Sequence, residues 1–278
     1  MSARVCPICD GSDFERRKLL PNLAVDRCRG CGLRISDIVK TKRVSYAHID
    51  DEAYLQSIGL VRQEQARTVI DSVRASGTWL DIGCGFGFVL DEARRAGFAV
   101  RGVEPDPKAA AAARARLGDV VRATDDDTHA DVISTLDVLE HVPPEEINAF
   151  ARNVGNRAAL WVIKVPSSEG LFYQVAHALL PLSRGVVRRL WQSDHEYPHT
   201  VYFDRSTLTR FLEKHGFVVE QARYLEEVSA KTASQRMLLD PTIPRWQSLL
   251  AAPLVRLINA FERWRGTSDA LLVIARRR

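Results

Sequence analysis

The chain has 278 residues with a net charge of +4; 46% of them are hydrophobic and 27% charged, the composition of an ordinary globular protein. This length accommodates one sizeable α/β domain and a small additional module. The charge is too small to argue for nucleic-acid binding. No run of 18 uncharged apolar residues occurs, and residues 1–20 lack the apolar region of a signal peptide. We therefore expect a cytoplasmic protein without a transmembrane segment.

Two C-x-x-C pairs mark the N-terminus. Cys6 and Cys9 form the first pair and Cys28 and Cys31 the second, with 18 residues between the pairs. This spacing is typical of a four-cysteine zinc site, in which no coordination position is left for water and the metal is structural. The alternative is four free thiols in a reducing compartment. We predict a small zinc ribbon over residues 1–45.

A glycine-rich stretch, LDIGCGFGF at residues 80–88, follows an apolar run and precedes residues with helical spacing. The pattern predicts a buried parallel strand, a turn and a helix, which is the junction where α/β folds bind nucleotide-like ligands. A second strand begins at residue 99 and ends in Glu104. Asp106 and Pro107 then have the residue types that cap and open a helix.

The glycine spacing distinguishes between cofactors. A dinucleotide fingerprint, G-x-G-x-x-G, needs a third glycine where Phe88 stands, and the lysine-containing end of a phosphate-binding loop is absent. Asp81 instead precedes Gly83, Gly85 and Gly87, and an acidic residue there suits a cationic ammonium group better than a pyrophosphate. The arrangement resembles motif I of the class I S-adenosylmethionine (SAM) methyltransferases, D-x-G-x-G-x-G.

This resemblance spans about residues 60–278 and implies the fold and the cofactor. The fold would be α/β: a Rossmann-like sheet of seven strands, the last antiparallel, in a methyltransferase domain over residues 46–278. SAM would be the cofactor, and the Glu104 carboxylate would accept both ribose hydroxyls. Asp125 and Asp126 follow the third strand, where a polar side chain meets the adenine amino group, although a solvated acidic loop is the alternative. The implied cofactor-binding residues are Asp81, Gly83, Gly85, Gly87, Glu104, Asp125 and Asp137.

The stretch after the fourth strand matches the D-x-L-E-H-V segment of resembling sequences, which lines the cofactor and acceptor pockets. Here it is Asp137, Leu139, Glu140, His141 and Val142. His141 is a candidate general base; the alternative is a histidine that only bonds the turn. His199 is a second candidate, for pocket contact or proton transfer. A metal site built from His195, Glu196 and His199 is not favoured, because Pro198 interrupts the helical spacing that it needs.

Two segments are predicted to be helical lid insertions, at about residues 170–198 and 228–266. Both show helical stripes of apolar residues, which fit lids over the sheet or a dimer face. Arginines flank these stripes, so peripheral contact with lipid or a lipid-linked acceptor is the sharper alternative. The oligomeric state is left open.

Bacterial methyltransferases with an N-terminal four-cysteine zinc ribbon resemble both modules together. The resemblance implies transfer of a methyl group from SAM to an O, C or N nucleophile of a small-molecule or carrier-linked acceptor, such as a sugar, a lipid-linked intermediate or a natural product. Two alternatives are an rRNA methyltransferase and a non-catalytic zinc-ribbon interaction protein. The modest charge, without a dense Lys/Arg stripe, argues against nucleic acid.

Overall fold

The computed structural model describes residues 4–38, 51–125, 127–180, 183–193, 197–227 and 245–278. Its strands are β1 (Phe14–Leu20), β2 (Leu23–Cys28), β3 (Arg34–Ser36), β4 (Thr78–Ile82), β5 (Ala99–Val103), β6 (Val121–Arg122), β7 (Ala130–Leu136), β8 (Ala158–Pro166), β9 (Val201–Tyr202), β10 (Phe217–Leu225) and β11 (Ala270–Arg277). Its helices are α1 (Asp51–Ser72), α2 (Phe88–Arg95), α3 (Pro107–Leu117), α4 (Ile147–Arg157), α5 (Leu171–Ala178), α6 (Arg184–Leu190), α7 (Arg205–Lys214) and α8 (Arg245–Arg265).

Seven of the described strands form the main sheet, in the order β10-β11-β8-β7-β4-β5-β6. Strands β4 to β8 pair in parallel, whereas β11 is antiparallel to both of its neighbours, β8 and β10. The predicted α/β sheet with an antiparallel last strand is confirmed. The chain order reverses at β4, which lies between β5 and β7. The loops that follow these three strands therefore meet at one edge of the sheet, where open α/β sheets bind ligands.

Both faces of the sheet are covered, which explains why its strands read as apolar runs. Trp79 of β4 packs with α1, α2 and α3, whereas the next residue, Leu80, faces the core that includes α4 and α7. Successive strand residues point to opposite faces, so one short run supplies both cores.

The N-terminal module is joined to the main domain. Its sheet has the order β1-β2-β3-β9, so its last strand comes from residues 201–202, far along the chain. Leu33 and Ile35 share a hydrophobic core with Trp161 of β8 and Phe211 of α7. The sequence pattern did not indicate β9, because a two-residue strand has no periodicity to detect.

Each inserted segment contains a proline, a residue expected to kink or break a helix. The apolar stripe over residues 170–192 forms two helices, α5 and α6, and Pro181 falls between them, outside the described residues. Pro253 instead lies inside α8, which continues through it. Asp106 and Pro107 cap and open α3 as predicted, and Asp106 accepts hydrogen bonds from the backbone of Lys108 and Ala109.

Candidate active site

A cavity of about 350 Å³ opens where the parallel strands end. The loops after β4, β5 and β7 line it, together with Lys164 near the end of β8, one face of α1 and Tyr197. This volume is within the range of small-molecule pockets, roughly 300–1,000 Å³. The cavity therefore lies at the edge of the sheet that the glycine-rich stretch indicated.

Two of the predicted glycines bring bare backbone to this cavity. Gly83 and Gly85 have φ values of 75° and 52°, in the left-handed region that favours glycine. A Cβ on Gly83 would lie 2.5 Å from Cγ2 of Val138, in the loop after β7. A Cβ on Gly85 would meet no atom within 4 Å, and Gly85 lines the cavity. A ligand can therefore approach the main chain closely at Gly85.

Gly87 has a different role from its two neighbours. It precedes α2 with a φ of 76°, and a Cβ there would lie 2.7 Å from Cδ1 of Leu117 in α3. Gly87 is not among the residues that line the cavity. Its lack of a side chain lets α2 and α3 pack together, which sets the shape of the loop indirectly.

Asp81 lies beside the cavity with 2% of its surface exposed. The Ser134 hydroxyl donates to Oδ1 of Asp81 at 2.6 Å, and the indole of Trp79 donates to that hydroxyl at 2.7 Å. Burial raises the pKa of Asp81 to about 7, the Ser134 hydrogen bond opposes this shift, and the charge of Glu104 adds to it. A cationic group of a ligand beside Asp81 would favour its ionised form.

Glu104 is held by the backbone on both carboxylate oxygens. The Gly85 N–H donates to Oε2 at 2.8 Å, and the Asp106 N–H donates to Oε1 at 2.9 Å. Burial raises the pKa of Glu104, and these backbone hydrogen bonds partly offset the effect. Each oxygen has lone pairs for more than one hydrogen bond, so a pair of adjacent hydroxyls could donate to a fixed acceptor here.

Asp137 lines the cavity within an ionic network. It has a φ of 57°, a left-handed conformation that is uncommon outside glycine. Nζ of Lys164 donates to its two oxygens at 2.8 and 2.9 Å, and Arg62 of α1 donates at 2.6 Å. Burial raises the pKa of Asp137, but the charges of Arg62 and Lys164 outweigh it and hold the pKa well below its usual range. Its carboxylate thus ties α1 to the ends of β7 and β8.

The same two cations also pair with Glu227, at 3.2 Å for Arg62 and 2.8 Å for Lys164. The sequence interpretation did not single out Arg62, Lys164, Tyr197 or Glu227. Lys164 carried a usable signal, because it is a lone charge in an otherwise apolar strand. A buried lysine requires an acidic partner, and that partner is found at the end of the neighbouring strand.

The predicted histidines lie one behind the other. His141 belongs to a 3-10 turn after β7 and lines the cavity, and its ring centroid is 4.8 Å from that of His199, which is buried and does not line the cavity. Nδ1 of His141 is 3.1 Å from the Pro198 carbonyl oxygen. In a neutral ring the proton is therefore on Nδ1, and Nε2 is the basic nitrogen.

Glu140 stands beside the two histidines. It is 1% exposed, and its Oε2 has no hydrogen-bond partner in the described part of the chain. Burial raises the pKa of Glu140 well above its ordinary value, and the charge of Asp137 adds to this shift. Ligand atoms of Glu140, His141 and His199 lie within 4.8 Å of one another, so these residues could hold a cation. His195 and Glu196 lie outside the described residues.

Asp125 lies away from the cavity and is not among its lining residues. Its two oxygens accept hydrogen bonds from the Arg157 guanidinium at 2.9 and 2.7 Å. This bidentate pair ties the loop after β6 to the end of α4. Asp126 lies outside the described residues.

The four N-terminal cysteines converge as their spacing predicted. Sγ of Cys6 is 3.5 Å from that of Cys31, Sγ of Cys9 is 3.4 Å from that of Cys28, and all four lie within 4.8 Å of one another. A tetrahedral zinc ion with Zn–S distances of about 2.3 Å separates its sulfur ligands by roughly 3.8 Å. A Cβ on Gly30 would lie 3.3 Å from Sγ of Cys9, so the turn is already close to the sulfurs. The cluster is compatible with zinc.

Comparisons with known proteins agree with this arrangement. The family model described as a methyltransferase domain matches residues 59–222, more than half of the chain, including the glycine loop, Glu104 and His141. No curated protein matches the sequence.

Solved structures share the fold at low sequence identity. A SAM-dependent methyltransferase from Archaeoglobus fulgidus has 17% identity and a TM-score of 0.53, covering 82% of this chain and all of that one. Magnesium protoporphyrin IX methyltransferase from Synechocystis PCC 6803, with bound SAH, has 15% identity and a TM-score of 0.52, covering 86% and 90%. Mycolic acid cyclopropane synthase CmaA1, with SAH and CTAB, has 18% identity and a TM-score of 0.55, covering 85% and 90%.

The glycine loop at the end of β4 and the carboxylate at the end of β5 therefore lie within the matched methyltransferase domain. The chain belongs to the methyltransferase-domain family and is a class I SAM-dependent methyltransferase.

Proposed function

We propose that this enzyme transfers the methyl group of SAM to an oxygen, nitrogen or carbon nucleophile of a small-molecule or carrier-linked acceptor, such as a sugar, a lipid-linked intermediate or a natural product. The observation that carries the proposal is the charge balance at the cavity. Two of its three lysines and arginines, Arg62 and Lys164, are paired with Asp137 and Glu227. The third, Lys108, shares the lining with three further carboxylates, those of Asp81, Glu104 and Asp106, so this edge does not present the uncompensated basic surface that a nucleic acid requires. The names of two similar structures refer to a porphyrin and to mycolic acid, which agrees with a small or lipidic acceptor.

In this proposal, three groups of the chain hold the cofactor. The Gly83–Gly85 backbone permits close approach, the Glu104 carboxylate accepts the ribose hydroxyls, and Asp81 faces the cationic part. SAM, when bound, supplies a methyl group made electrophilic by the sulfonium. The protein then has to hold the nucleophile in line with that methyl group, and positioning of this kind can contribute about 7–11 kcal/mol.

His141 is proposed to take the proton from an acceptor that needs deprotonation. Its Nδ1 bonds the Pro198 carbonyl, which leaves Nε2 as the basic nitrogen of a residue that lines the cavity. His199 is proposed to position it, because its ring packs against that of His141 and its Nδ1 lies 3.4 Å from the Tyr202 hydroxyl. That hydroxyl in turn donates to the Leu190 carbonyl at 2.8 Å. The group that contacts His199 is therefore itself held in place by the backbone.

The four cysteines are proposed to bind a structural zinc ion that holds a module over residues 1–45, with the methyltransferase domain over residues 46–278. The sulfur geometry supports this proposal. Because all four ligands are thiolates, no coordination position would be left for a substrate or for water.

The first prediction concerns Glu104. We expect Glu104→Gln to weaken the binding of S-adenosylhomocysteine by at least about tenfold, because charge-assisted hydrogen bonds contribute roughly 1.5–3 kcal/mol each. Isothermal calorimetry of the purified chain measures the effect, and NAD serves as the ligand control. Glu145→Gln is the matched variant, because Glu145 is exposed and outside the cavity. Equal affinities for the Glu104 and Glu145 variants would contradict the assignment.

A pH dependence follows from Asp81, whose pKa is raised to about 7. Below this pH the carboxyl is largely protonated, whereas a cationic ligand favours the ionised form. We expect the affinity for SAM to rise with pH between about 5.5 and 7, and binding near pH 6 to release a proton. Titrations in buffers of different ionisation enthalpy measure that proton. Asp81→Asn should flatten the profile, and a flat profile in the wild-type chain would rule out this coupling.

A third prediction concerns His141. We expect His141→Asn to lower the rate of methyl transfer about 10²–10⁴-fold while leaving the affinity for S-adenosylhomocysteine nearly unchanged. Transfer is followed with methyl-labelled SAM and a pool of small-molecule acceptors. His129→Asn is the matched control, because His129 is exposed. An unchanged rate in His141→Asn would exclude the role. A different result would make Glu140, His141 and His199 metal ligands. The rate of methyl transfer would fall when a chelator is added and recover with a divalent cation, and Glu140→Gln would show no such response.

The zinc proposal predicts about one zinc ion per chain in purified protein. Cys28→Ser should lose the metal and reduce the soluble yield, because binding contributes to folding of the module. Cys84→Ser is the control, since Cys84 lies in the glycine loop and away from the cluster. Elemental analysis of the three proteins provides the measurement. A wild-type chain with much less than one zinc ion would overturn the proposal.

A further inference from the structure

Exposed apolar side chains are concentrated on the inserted helices. Ten large hydrophobic side chains are exposed in the described part of the chain, and seven belong to α5, α6, α8 and the residue after α5. These seven are Val175, Leu179, Val186, Leu254, Leu257, Phe261 and Trp264. On α8, Leu257 is 71% and Trp264 80% exposed. The four α8 residues follow a spacing of three, four and three, so they form one stripe along the helix.

The exposed charged side chains that the structure describes on α6 and α8 are all arginines. They are Arg184, Arg188, Arg189, Arg256, Arg263 and Arg265. Glu262, the one acidic residue of α8, is 1% exposed and accepts hydrogen bonds from the Leu171 N–H and the Ser268 hydroxyl. These six arginines together carry a charge of +6, which is more than the net charge of +4 of the whole chain. All the other residues taken together are therefore net acidic.

The helices that carry these residues are adjacent. The Arg265 guanidinium donates to the Gln174 side chain of α5 at 3.1 Å and lies 5.8 Å from the ring centroid of Phe261. The rings of Phe261 and Trp264 are 5.6 Å apart. The C-terminal end of the apolar stripe on α8 therefore lies where α8 meets α5. We call α5, α6 and α8, with Leu179, the lid surface.

We propose that the lid surface docks on an anionic lipid bilayer. Leucine, phenylalanine and tryptophan on one face of a helix, with arginines around them, are the composition of a helix that lies in the plane of a membrane interface. Arginine side chains at that depth contact lipid phosphates. A second copy of this chain is a poorer occupant, because a two-fold contact would bring arginines against arginines. No described helix is both long enough and apolar enough to cross a bilayer.

The lid surface is connected to the cavity through two consecutive residues. Glu226 accepts a hydrogen bond from Asn259 of α8 at 2.8 Å and pairs with Arg263 at 2.5 Å. Its neighbour Glu227 pairs with Arg62 and Lys164 at the cavity. The helix that would contact the bilayer is thus bonded, through its side opposite the stripe, to the segment that pairs with the cations of the cavity. This connection favours an amphiphilic acceptor held in the membrane. This last step rests on the proposed methyl-transfer function, whereas the docking itself does not.

The test is co-sedimentation of the full chain with vesicles of phosphatidylcholine alone, or mixed with phosphatidylglycerol. We expect binding to the mixed vesicles that weakens with added salt, and little binding to phosphatidylcholine alone. The double variant Leu257→Gln, Trp264→Gln should lower the partition coefficient at least about tenfold. Val218→Gln is its control, because Val218 is 46% exposed on β10. Arg256→Gln should weaken binding more than Arg210→Gln, an exposed arginine of α7.

Three outcomes would overturn the docking proposal. The first is that the chain does not bind the mixed vesicles, and the second is that the double variant and the Val218 variant bind them equally. The third is that the chain self-associates in analytical ultracentrifugation and does not bind vesicles, and that the double variant abolishes the self-association. Calorimetry with S-adenosylhomocysteine on the same preparations reports separately on the cofactor site. A failure of docking is therefore distinguishable from a failure of the proposed function, and retained cofactor binding shows that the variants are folded.

Discussion

The arrangement of the active site depends on a lysine buried in the central sheet. Lys164 is 1% exposed in β8, and a charge at that depth is strongly unfavourable unless it is paired. Its partners are Asp137, after the neighbouring strand, and Glu227, after β10, and Arg62 of α1 completes the network. The need to neutralise one charge thus draws three separate segments together. Two of these segments, α1 and the loop after β7, line the cavity.

A second chain of contacts links the N-terminal module to the same site. Strand β3 of that module pairs with β9, and the residue before β9, Thr200, bonds the turn that carries His141. The Thr200 N–H donates to the Glu140 carbonyl at 2.7 Å, and its hydroxyl lies 2.7 Å from the Val142 carbonyl. A metal in the four-cysteine cluster would therefore stabilise more than its own ribbon. It would support the sheet whose far edge fixes the two histidines.

The two sides of the cavity have different electrostatic character. Asp81 and Glu104 lie on the side of β4 and β5, where burial raises both pKa values, and they suit a ligand that brings positive charge and hydroxyls. On the side of β7 and β8 the charges are already balanced within the protein. Exposed arginines are instead concentrated on α6 and α8, outside the cavity. The proposed partners follow this division: a cationic cofactor inside and an anionic surface outside.

The features readable from the sequence were those set by local geometry. The C-x-x-C turns, the strand–glycine–helix junction and the cap at Asp106 each depend on a few consecutive residues, whose backbone conformations and spacing are visible in one dimension. The seven-stranded fold followed from their order and from the family resemblance. The side-chain partnerships did not follow. Asp137 pairs with Lys164 and Arg62, Asp125 pairs with Arg157, and Gly87 packs against Leu117. Each of these contacts joins residues far apart in the chain, so only the packing of the tertiary structure decided them.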